Sequence, residues 1–317
     1  MALLEVEDLR VAFGDTTAVD GVDFHVDQGR VTGLVGESGC GKSVTSLAVM
    51  GLLPRRGVTV SGTARFEGVD LLSLPRADMR RRRGSDLAMV FQDPLSSLNP
   101  VVQIGRQITE VLERHRGLRG EAARKEAEDL LDRVGIPDPR RRLGEYPHQL
   151  SGGMRQRVLI AIAVACAPRL LIADEPTTAL DVTIQAQILE LLKDLVDAEG
   201  TALLMITHDL GVVAGLCDEV NVLYSGRVVE SASARDLFAR PTHPYTVGLL
   251  GSIPRLDLPI DEPLEPIRGS IADVIRWKDG CAFAPRCDRV AEPCVDGEPP
   301  LIGTAHAHRC VMAEETV

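Results

Sequence analysis

A glycine-rich loop between two apolar segments constrains the fold of this chain more than any other feature. Residues 36–43 read Gly-Glu-Ser-Gly-Cys-Gly-Lys-Ser, the phosphate-binding pattern of glycine, four residues, glycine, lysine and serine or threonine. The apolar run Val31–Val35 before the loop predicts a buried strand, and the apolar stretch from Lys42 to Leu53 predicts a helix. A strand, this loop and a helix in that order predict a nucleotide-binding α/β fold.

The loop residues have the chemistry that a bound nucleotide requires. Glycines leave backbone N–H groups free to surround phosphate oxygens, and a helix N-terminus adds a favourable dipole. Lys42 is expected to reach the β- and γ-phosphates, and Ser43 to ligate Mg²⁺. The alternative is a glycine-rich turn that binds no ligand. The residues predicted to contact ATP here are Gly36, Glu37, Ser38, Gly39, Cys40, Gly41, Lys42, Ser43 and Val44.

Two acidic residues follow a second apolar run. Leu170–Ala173 is continuously apolar, as in a central parallel strand buried on both faces, and Asp174 and Glu175 come directly after it. An aspartate at this point can hold the Mg²⁺ shell, and a neighbouring glutamate can deprotonate an attacking water. Taken alone, an acidic pair at a strand end is also typical of a solvated surface.

The rest of the pattern alternates strands with helices. Apolar residues predict short strands within residues 3–35, a helix over Glu121–Gly135 and a hairpin around Ser225-Gly226. A helix that begins after Ser151, with this serine as N-cap, precedes the strand at 170–173. These elements predict a parallel, doubly wound core. Proline becomes dense after about residue 240, so a boundary is expected near residue 238.

Composition narrows the possible function classes. The 317 residues carry a net charge of −11, which argues against a protein that coats nucleic acid. No apolar run approaches the ~18 residues of a spanning helix, and the acidic residues among the first eleven argue against a secretory signal. A cytosolic or peripheral protein is expected. The arginines at 80–83 are interpreted as a solvated surface, with acidic lipid or a membrane partner as the alternative.

Further motifs complete an ordered set. Residues 150–157 read Leu-Ser-Gly-Gly-Met-Arg-Gln-Arg, and the chain also contains Val-Phe-Gln-Asp-Pro around Gln92, Ala-Leu-Asp ending at Asp181, and Thr-His-Asp around His208. With the phosphate loop and the acidic pair, residues 3 to about 237 resemble the ATP-binding cassette (ABC) family. The resemblance implies an α/β P-loop NTPase fold with a RecA-like core, an N-terminal antiparallel β part and a helical subdomain at about residues 93–157.

The resemblance also implies roles. Two subunits would form a head-to-tail dimer, in which ATP on one phosphate loop meets the signature of the partner, Ser151, Gly152, Gly153, Met154 and Asp181. Glu175 and His208 would be catalytic, with His208 at the γ-phosphate, and Asp174 would assist ATP binding. Gln92 would join Ser43 at Mg²⁺. Phe13 stands where the family usually stacks a tyrosine on adenine, and Met154 where it usually has glutamine.

The C-terminal region, 238–317, gives a narrower resemblance. Residues 242–254, together with QDPLSSLNP at 92–100, resemble the ATPases of oligopeptide, dipeptide and nickel importers. This implies peptide import at the cytoplasmic face of the inner membrane, with two permeases, an extracytoplasmic substrate-binding protein and a second ATPase, identical or related. The alternatives are nickel or another small solute, a soluble ABC ATPase acting on nucleic acid, and a non-hydrolysing scaffold.

Four of the seven cysteines crowd the C-terminal region. Their spacing does not fit the paired C-x₂-C of common zinc ribbons, while four thiolates can bind either zinc or an iron–sulfur cluster. The resemblance implies a [4Fe–4S] cluster, with zinc or plain reduced thiols as alternatives. His306 and His308 are expected to face solvent, with a role as substitute ligands as the alternative. The predicted cluster ligands are Cys281, Cys287, Cys294 and Cys310.

Overall fold

The structure is a computed structural model that describes residues 2–178, 180–253, 267–269 and 280–313. The chain divides into two compact units. The first unit comprises residues 1–3, 26–31 and 73–205, and the second comprises residues 4–25, 32–72 and 206–317. The domain boundary predicted near residue 238 rests on a change in composition, whereas the two units are defined by their compactness. The boundary therefore stays a prediction.

The strands and helices follow the alternation expected from the sequence. The strands are β1 (Ala2–Phe13), β2 (Thr16–Asp27), β3 (Val31–Val35), β4 (Val58–Phe66), β5 (Val69–Asp70), β6 (Leu87–Val90), β7 (Leu170–Asp174), β8 (Ala202–Thr207), β9 (Glu219–Tyr224), β10 (Arg227–Ser233) and β11 (His306–His308). The α-helices are α1 (Lys42–Val49), α2 (Arg76–Arg82), α3 (Pro94–Ser97), α4 (Ile104–His115), α5 (Gly120–Arg133), α6 (Pro139–Arg142), α7 (Gly152–Val164), α8 (Val182–Glu199), α9 (Leu210–Leu216), α10 (Ala234–Ala239) and α11 (Pro244–Gly251).

An antiparallel sheet with the strand order β2-β1-β4-β5 lies almost entirely in the second unit. Leu4 pairs with Phe66, and a register shift interrupts the β1–β4 ladder between Glu7 and Arg10. The prediction of short strands here is wrong in length, because β1 and β2 each span 12 residues. Buried apolar residues alternate with exposed or half-buried polar ones along much of both strands, so each strand continues past its polar positions.

Strands in parallel pairs position the candidate site. In the first unit, β7 lies between β6 and β8 and is buried at all five positions. In the second unit, the order is β11-β10-β9-β3, with β3 parallel to β9 and Val35 opposite Val222. The predicted hairpin is confirmed, since β9 and β10 are antiparallel and turn at Ser225 and Gly226, both with positive φ.

Helices α3 to α7 occupy residues 94–164 of the first unit. Helix α4 buries Ile104, Ile108 and Leu112, which repeat every four residues on one face. Helix α5 buries Ala123, Ala127, Leu130 and Leu131, and both helices contact α7. Among the described residues, no helix is long and apolar enough to cross a membrane.

Candidate nucleotide-binding site

The phosphate loop connects β3 to α1 and has a shape that only glycine permits at two positions. Gly36 has φ 151°, and a Cβ there would overlap the carbonyl oxygen of Leu223. Gly41 has φ 107°, and a Cβ there would lie 2.6 Å from the carbonyl oxygen of Ala18. These close approaches come from neighbouring backbone, which cannot move aside as a flexible side chain can.

Lys42 lies buried at the start of α1. Its Nζ donates to the carbonyl oxygens of Gly36, at 2.7 Å, and Glu37, at 3.0 Å. Phosphate oxygens can accept the same hydrogen bonds, so the ammonium group is placed for the predicted contact with a nucleotide. Cys40 packs under the loop, where burial raises the pKa of its thiol. A cysteine in this loop could either sense oxidants or simply fill space. Burial favours the space-filling role for Cys40, since a neutral thiol reacts slowly with oxidants.

A predicted catalytic residue, Glu175, and a predicted Mg²⁺ ligand, Gln92, contact each other at the end of β7. Glu175 Oε2 accepts hydrogen bonds from Gln92 Nε2, at 2.8 Å, and from Thr178 Oγ1, at 3.0 Å. Asp174 and Glu175 are both buried, and Glu175 has φ 47°. A positive φ is uncommon for a residue with a Cβ and often marks a functional position. The role of Thr178 was not predicted, because two consecutive threonines, Thr177 and Thr178, form no pattern that indicates a function.

The signature residues begin helix α7, as predicted. Ser151 is the N-cap and its Oγ accepts from the Met154 N–H at 3.3 Å. Asp181 caps α8 in the same way, accepting from the Ile184 N–H at 3.0 Å. A Cβ on Gly153 would lie 2.7 Å from Cγ2 of Ile184, so the two helix starts pack together. Ser151 and Gly152 are exposed, which leaves the start of α7 open to an anion.

The remaining predicted residues lie in the second unit with the phosphate loop. Phe13 ends β1 and is 38% exposed, which leaves a ring face for stacking. His208 follows β8 and is exposed. The first unit holds Gln92, Asp174, Glu175, Asp181 and the signature. The roles of these residues in one ATP site stay predictions.

The four C-terminal cysteines line one small cavity of about 10 Å³. Burial raises the pKa of Cys281, Cys287 and Cys310, so these thiols are neutral near pH 7. In the part of the chain that the structure describes, no group of three or more histidine, cysteine, aspartate or glutamate side chains is arranged to hold a metal ion. The donor type suits the predicted cluster, but the arrangement of the side chains does not reproduce a ligand set.

The expectation that His306 faces solvent is wrong. Its Nε2 lies 2.6 Å from Oε1 of Glu230, whose side chain is fully buried. The same carboxylate accepts from the N–H groups of Thr242, at 2.7 Å, and His243, at 2.8 Å. Because a buried carboxylate needs such donors, His306 contributes to the packing of β10, β11 and the segment before α11.

His243 gives the C-terminal region a dependence on pH. Its ring is buried, Nδ1 accepts from the Tyr245 N–H at 3.1 Å as the N-cap of α11, and burial lowers the pKa of His243 to about 3. The unfolded chain takes up this proton near pH 6.5. The contribution of His243 to the free energy of unfolding is therefore complete above that pH and falls as pH decreases toward 3.

We expect the parent to lose about 2 kcal/mol of unfolding free energy between pH 7 and 5 relative to His243→Asn, which keeps an acceptor but does not titrate. Denaturant unfolding at both pH values measures the difference, and parallel curves for the two proteins would contradict it.

Comparisons with known proteins agree with this architecture. The ABC transporter family model matches residues 19–178, and the model of the oligopeptide/dipeptide transporter C-terminal region matches residues 229–294. The oligopeptide transport ATP-binding protein AppD of Bacillus subtilis is 50% identical over 320 residues, covering 99% of this chain and 97% of AppD. OppD of Salmonella typhimurium is 50% identical over 303 residues, covering 94% of this chain and 90% of OppD.

Solved structures show the same fold. The dimeric post-hydrolysis structure of the ATP-binding cassette MJ0796, bound to ADP and Pi, has a TM-score of 0.66 and 27% identity, covering 73% of this chain and 99% of that one. The cbiO1 structure from Clostridium perfringens has a TM-score of 0.64 and 29% identity, covering 75% of this chain and 91% of that one. The predicted fold and family are confirmed, and the chain belongs to the ABC transporter ATP-binding proteins that carry the oligopeptide/dipeptide transporter C-terminal region.

Proposed function

We propose that this chain binds and hydrolyses ATP to power the import of oligopeptides or dipeptides through membrane permeases. The observation that carries the proposal is the two-part family match, with half of the residues identical to named oligopeptide transport ATP-binding proteins over nearly the whole chain. The chain would work at the cytoplasmic face of the inner membrane. Its partners would be two permeases, a second ATPase and an extracytoplasmic substrate-binding protein.

In hydrolysis, some of these residues would bind the nucleotide and Mg²⁺, and another would accept a proton. Lys42 would hold the β- and γ-phosphates, and Ser43, Gln92 and Asp174 would hold the Mg²⁺ that neutralises their charge. Glu175 would take the proton of the attacking water, with Gln92 and Thr178 fixing its carboxylate through the observed hydrogen bonds. His208 would contact the γ-phosphate, and Phe13 would stack on adenine.

The signature would act on ATP held by a second subunit. Ser151 and Gly152 lie exposed at the start of α7, where the backbone N–H groups of a first helical turn and the helix dipole favour phosphate. Asp181 would lie beside it in the same dimer interface. Closure of the dimer on ATP and reopening after hydrolysis would drive the permeases between inward- and outward-facing states.

A groove in the first unit supports permease docking. It has a volume of about 860 Å³ and combines apolar side chains, among them Phe91 and Val111, with Arg80, Arg83 and Arg114. Phe91 precedes Gln92, so a permease segment in this groove would reach the residue beside Glu175. Of the arginines at 80–83, Arg80 and Arg83 line this groove, which supports a permease-binding role for these two in place of a purely solvated one.

We expect Val111→Glu to weaken co-purification with the permeases at least about tenfold, because it places an unpaired charge in the groove. Basal ATPase activity of the isolated chain should stay within about twofold, since Val111 lies outside the predicted nucleotide site. Val69→Glu, the same change at an exposed valine of β5, is the matched control. Equal permease recovery with both variants would contradict docking in this groove.

The experiment that tests the proposed function is affinity purification of this chain from mildly solubilised membranes, with partners identified by mass spectrometry. Recovery of two permeases and a related ATPase supports the importer. Recovery of nucleic-acid proteins from the soluble fraction would favour the alternative class of ABC ATPase. Binding assays with the associated substrate-binding protein then separate peptides from nickel or other small solutes.

We also propose that the four C-terminal cysteines bind a [4Fe–4S] cluster, with zinc as the alternative. Support comes from the four thiols that share one cavity, a donor set that suits either metal centre. Iron, sulfide and zinc analysis after anaerobic purification, with an absorption spectrum, tests it. A folded, colourless protein free of both metals would overturn the proposal.

A further inference from the structure

Glu37, the first side chain inside the phosphate loop, has every polar group engaged. Its N–H donates to the Tyr245 hydroxyl at 2.8 Å, and its carbonyl accepts from Lys42 Nζ at 3.0 Å. Its carboxylate accepts from both terminal nitrogens of Arg286, at 2.7 and 3.1 Å. The loop is thus held from one side by its own lysine and from the other by two residues of the C-terminal region.

Arg286 is buried, and its side chain is held in place for this contact by further interactions. Its side chain is 2% exposed, and its Nε donates to the carbonyl oxygen of Arg268 at 2.7 Å. The guanidinium lies 5.8 Å from the ring centre of Tyr224 and 6.0 Å from that of Phe283. A two-pronged pair with a carboxylate fixes direction as well as distance, and a buried arginine without its partner is costly.

Tyr245 is equally fixed. It is fully buried in α11, and its ring packs 4.5 Å from Tyr224 and 5.5 Å from Phe283 between ring centres. Burial raises the pKa of Tyr245, which keeps the phenol protonated and neutral beside the Glu37 N–H. Its rigid ring therefore holds the hydroxyl at one point next to the loop.

We propose that Tyr245 and Arg286 are positioning residues for the phosphate-binding loop, so that the C-terminal region sets the affinity of this chain for nucleotide. The proposal rests on the proposed function only in taking the loop as the nucleotide site. A loop whose second residue, Glu37, is fixed loses less conformational freedom when its N–H groups close around phosphate, which favours binding. Arg286 is also the neighbour in sequence of Cys287, which lines the cysteine cavity.

The test is equilibrium binding of a fluorescent methylanthraniloyl-ADP to the full chain and its variants. Arg286→Gln is expected to raise the Kd about tenfold, and Tyr245→Phe, which removes only a hydroxyl, about threefold. Glu37→Gln added to Arg286→Gln should recover part of the loss, because the carboxylate of Glu37, whose side chain is 29% exposed, is then no longer left without its cationic partner. Arg240→Gln, which removes an exposed ion pair with Asp236, is the control and should bind like the parent.

The outcomes separate positioning from simple stabilisation of the fold. Positioning predicts a raised KM for ATP with kcat within about twofold, because neither side chain touches the reacting atoms. Folded Arg286→Gln and Tyr245→Phe proteins with the parent's Kd would overturn the proposal, and Tyr245→Phe alone decides it if Arg286→Gln does not fold. Failure of the parent to bind the analogue would instead overturn the proposed function.

Discussion

Replacing Glu175 with glutamine is expected to lower the steady-state ATPase rate about a thousandfold, the contribution of a positioned general base. Glutamine keeps the size of the side chain and can still bond with Gln92 and Thr178, so the local structure should persist. It cannot accept a proton from water. ATP affinity should remain within about threefold of the parent, because the change acts on chemistry rather than on binding.

Phosphate release under ATP saturation measures the rate, and equilibrium binding of ATP measures the affinity. Glu190→Gln is the matched control, since Glu190 is exposed on α8 and the same charge is removed. The variant should also accumulate as an ATP-bound dimer, because closure no longer leads to hydrolysis. A Glu175→Gln protein with more than about a tenth of the parent rate would show that another group deprotonates the water.

Replacing Gly36 with alanine is expected to weaken nucleotide binding about a hundredfold, the scale of a misplacement of roughly 1 Å in a binding site. The Cβ would overlap the carbonyl oxygen of Leu223, and the Cys40 sulfur lies 2.9 Å from the same point. Gly36 must shift, and with it the carbonyl that holds Lys42. We also expect a loss of about 2 kcal/mol or more of unfolding free energy from the overpacking.

Binding of ADP and denaturant unfolding, measured on the same preparations, check both effects. Gly14→Ala is the control, because Gly14 has φ 57° but no atom within 4 Å of its Cβ position. It should lose about 1 kcal/mol of stability from the left-handed backbone alone, with nucleotide binding intact. If Gly36→Ala binds ADP like the parent, the loop does not depend on this close approach.

The elements with dense local patterns were predictable from the sequence. The strand, loop and helix around Lys42 follow one another within twenty residues, and Ser151 and Asp181 carry the N-cap chemistry that the structure contains. Contacts across long stretches of chain were not predictable, because no local property records them. Arg286 meets Glu37 across 249 positions, and Gln92 meets Glu175 across 83.

Two wrong expectations have similar causes. Polar residues in β1 and β2 concealed strands of 12 residues, since a half-buried strand tolerates them on its open face. The polarity of His306 predicts a solvent-facing side chain, but the fold supplies a buried carboxylate, Glu230, as its partner. In both cases tertiary packing, rather than the residue type, determined the length of the strand or the burial of the side chain.

The central claim is that ATP hydrolysis by this chain drives peptide import, and uptake by proteoliposomes tests it most directly. The purified complex is reconstituted with ATP supplied on the side of this chain, and a radiolabelled oligopeptide with its substrate-binding protein on the other. We expect peptide accumulation that requires ATP and is lost with Glu175→Gln in this chain. ATP hydrolysis with no peptide uptake, or uptake that persists unchanged in the Glu175→Gln complex, would contradict it.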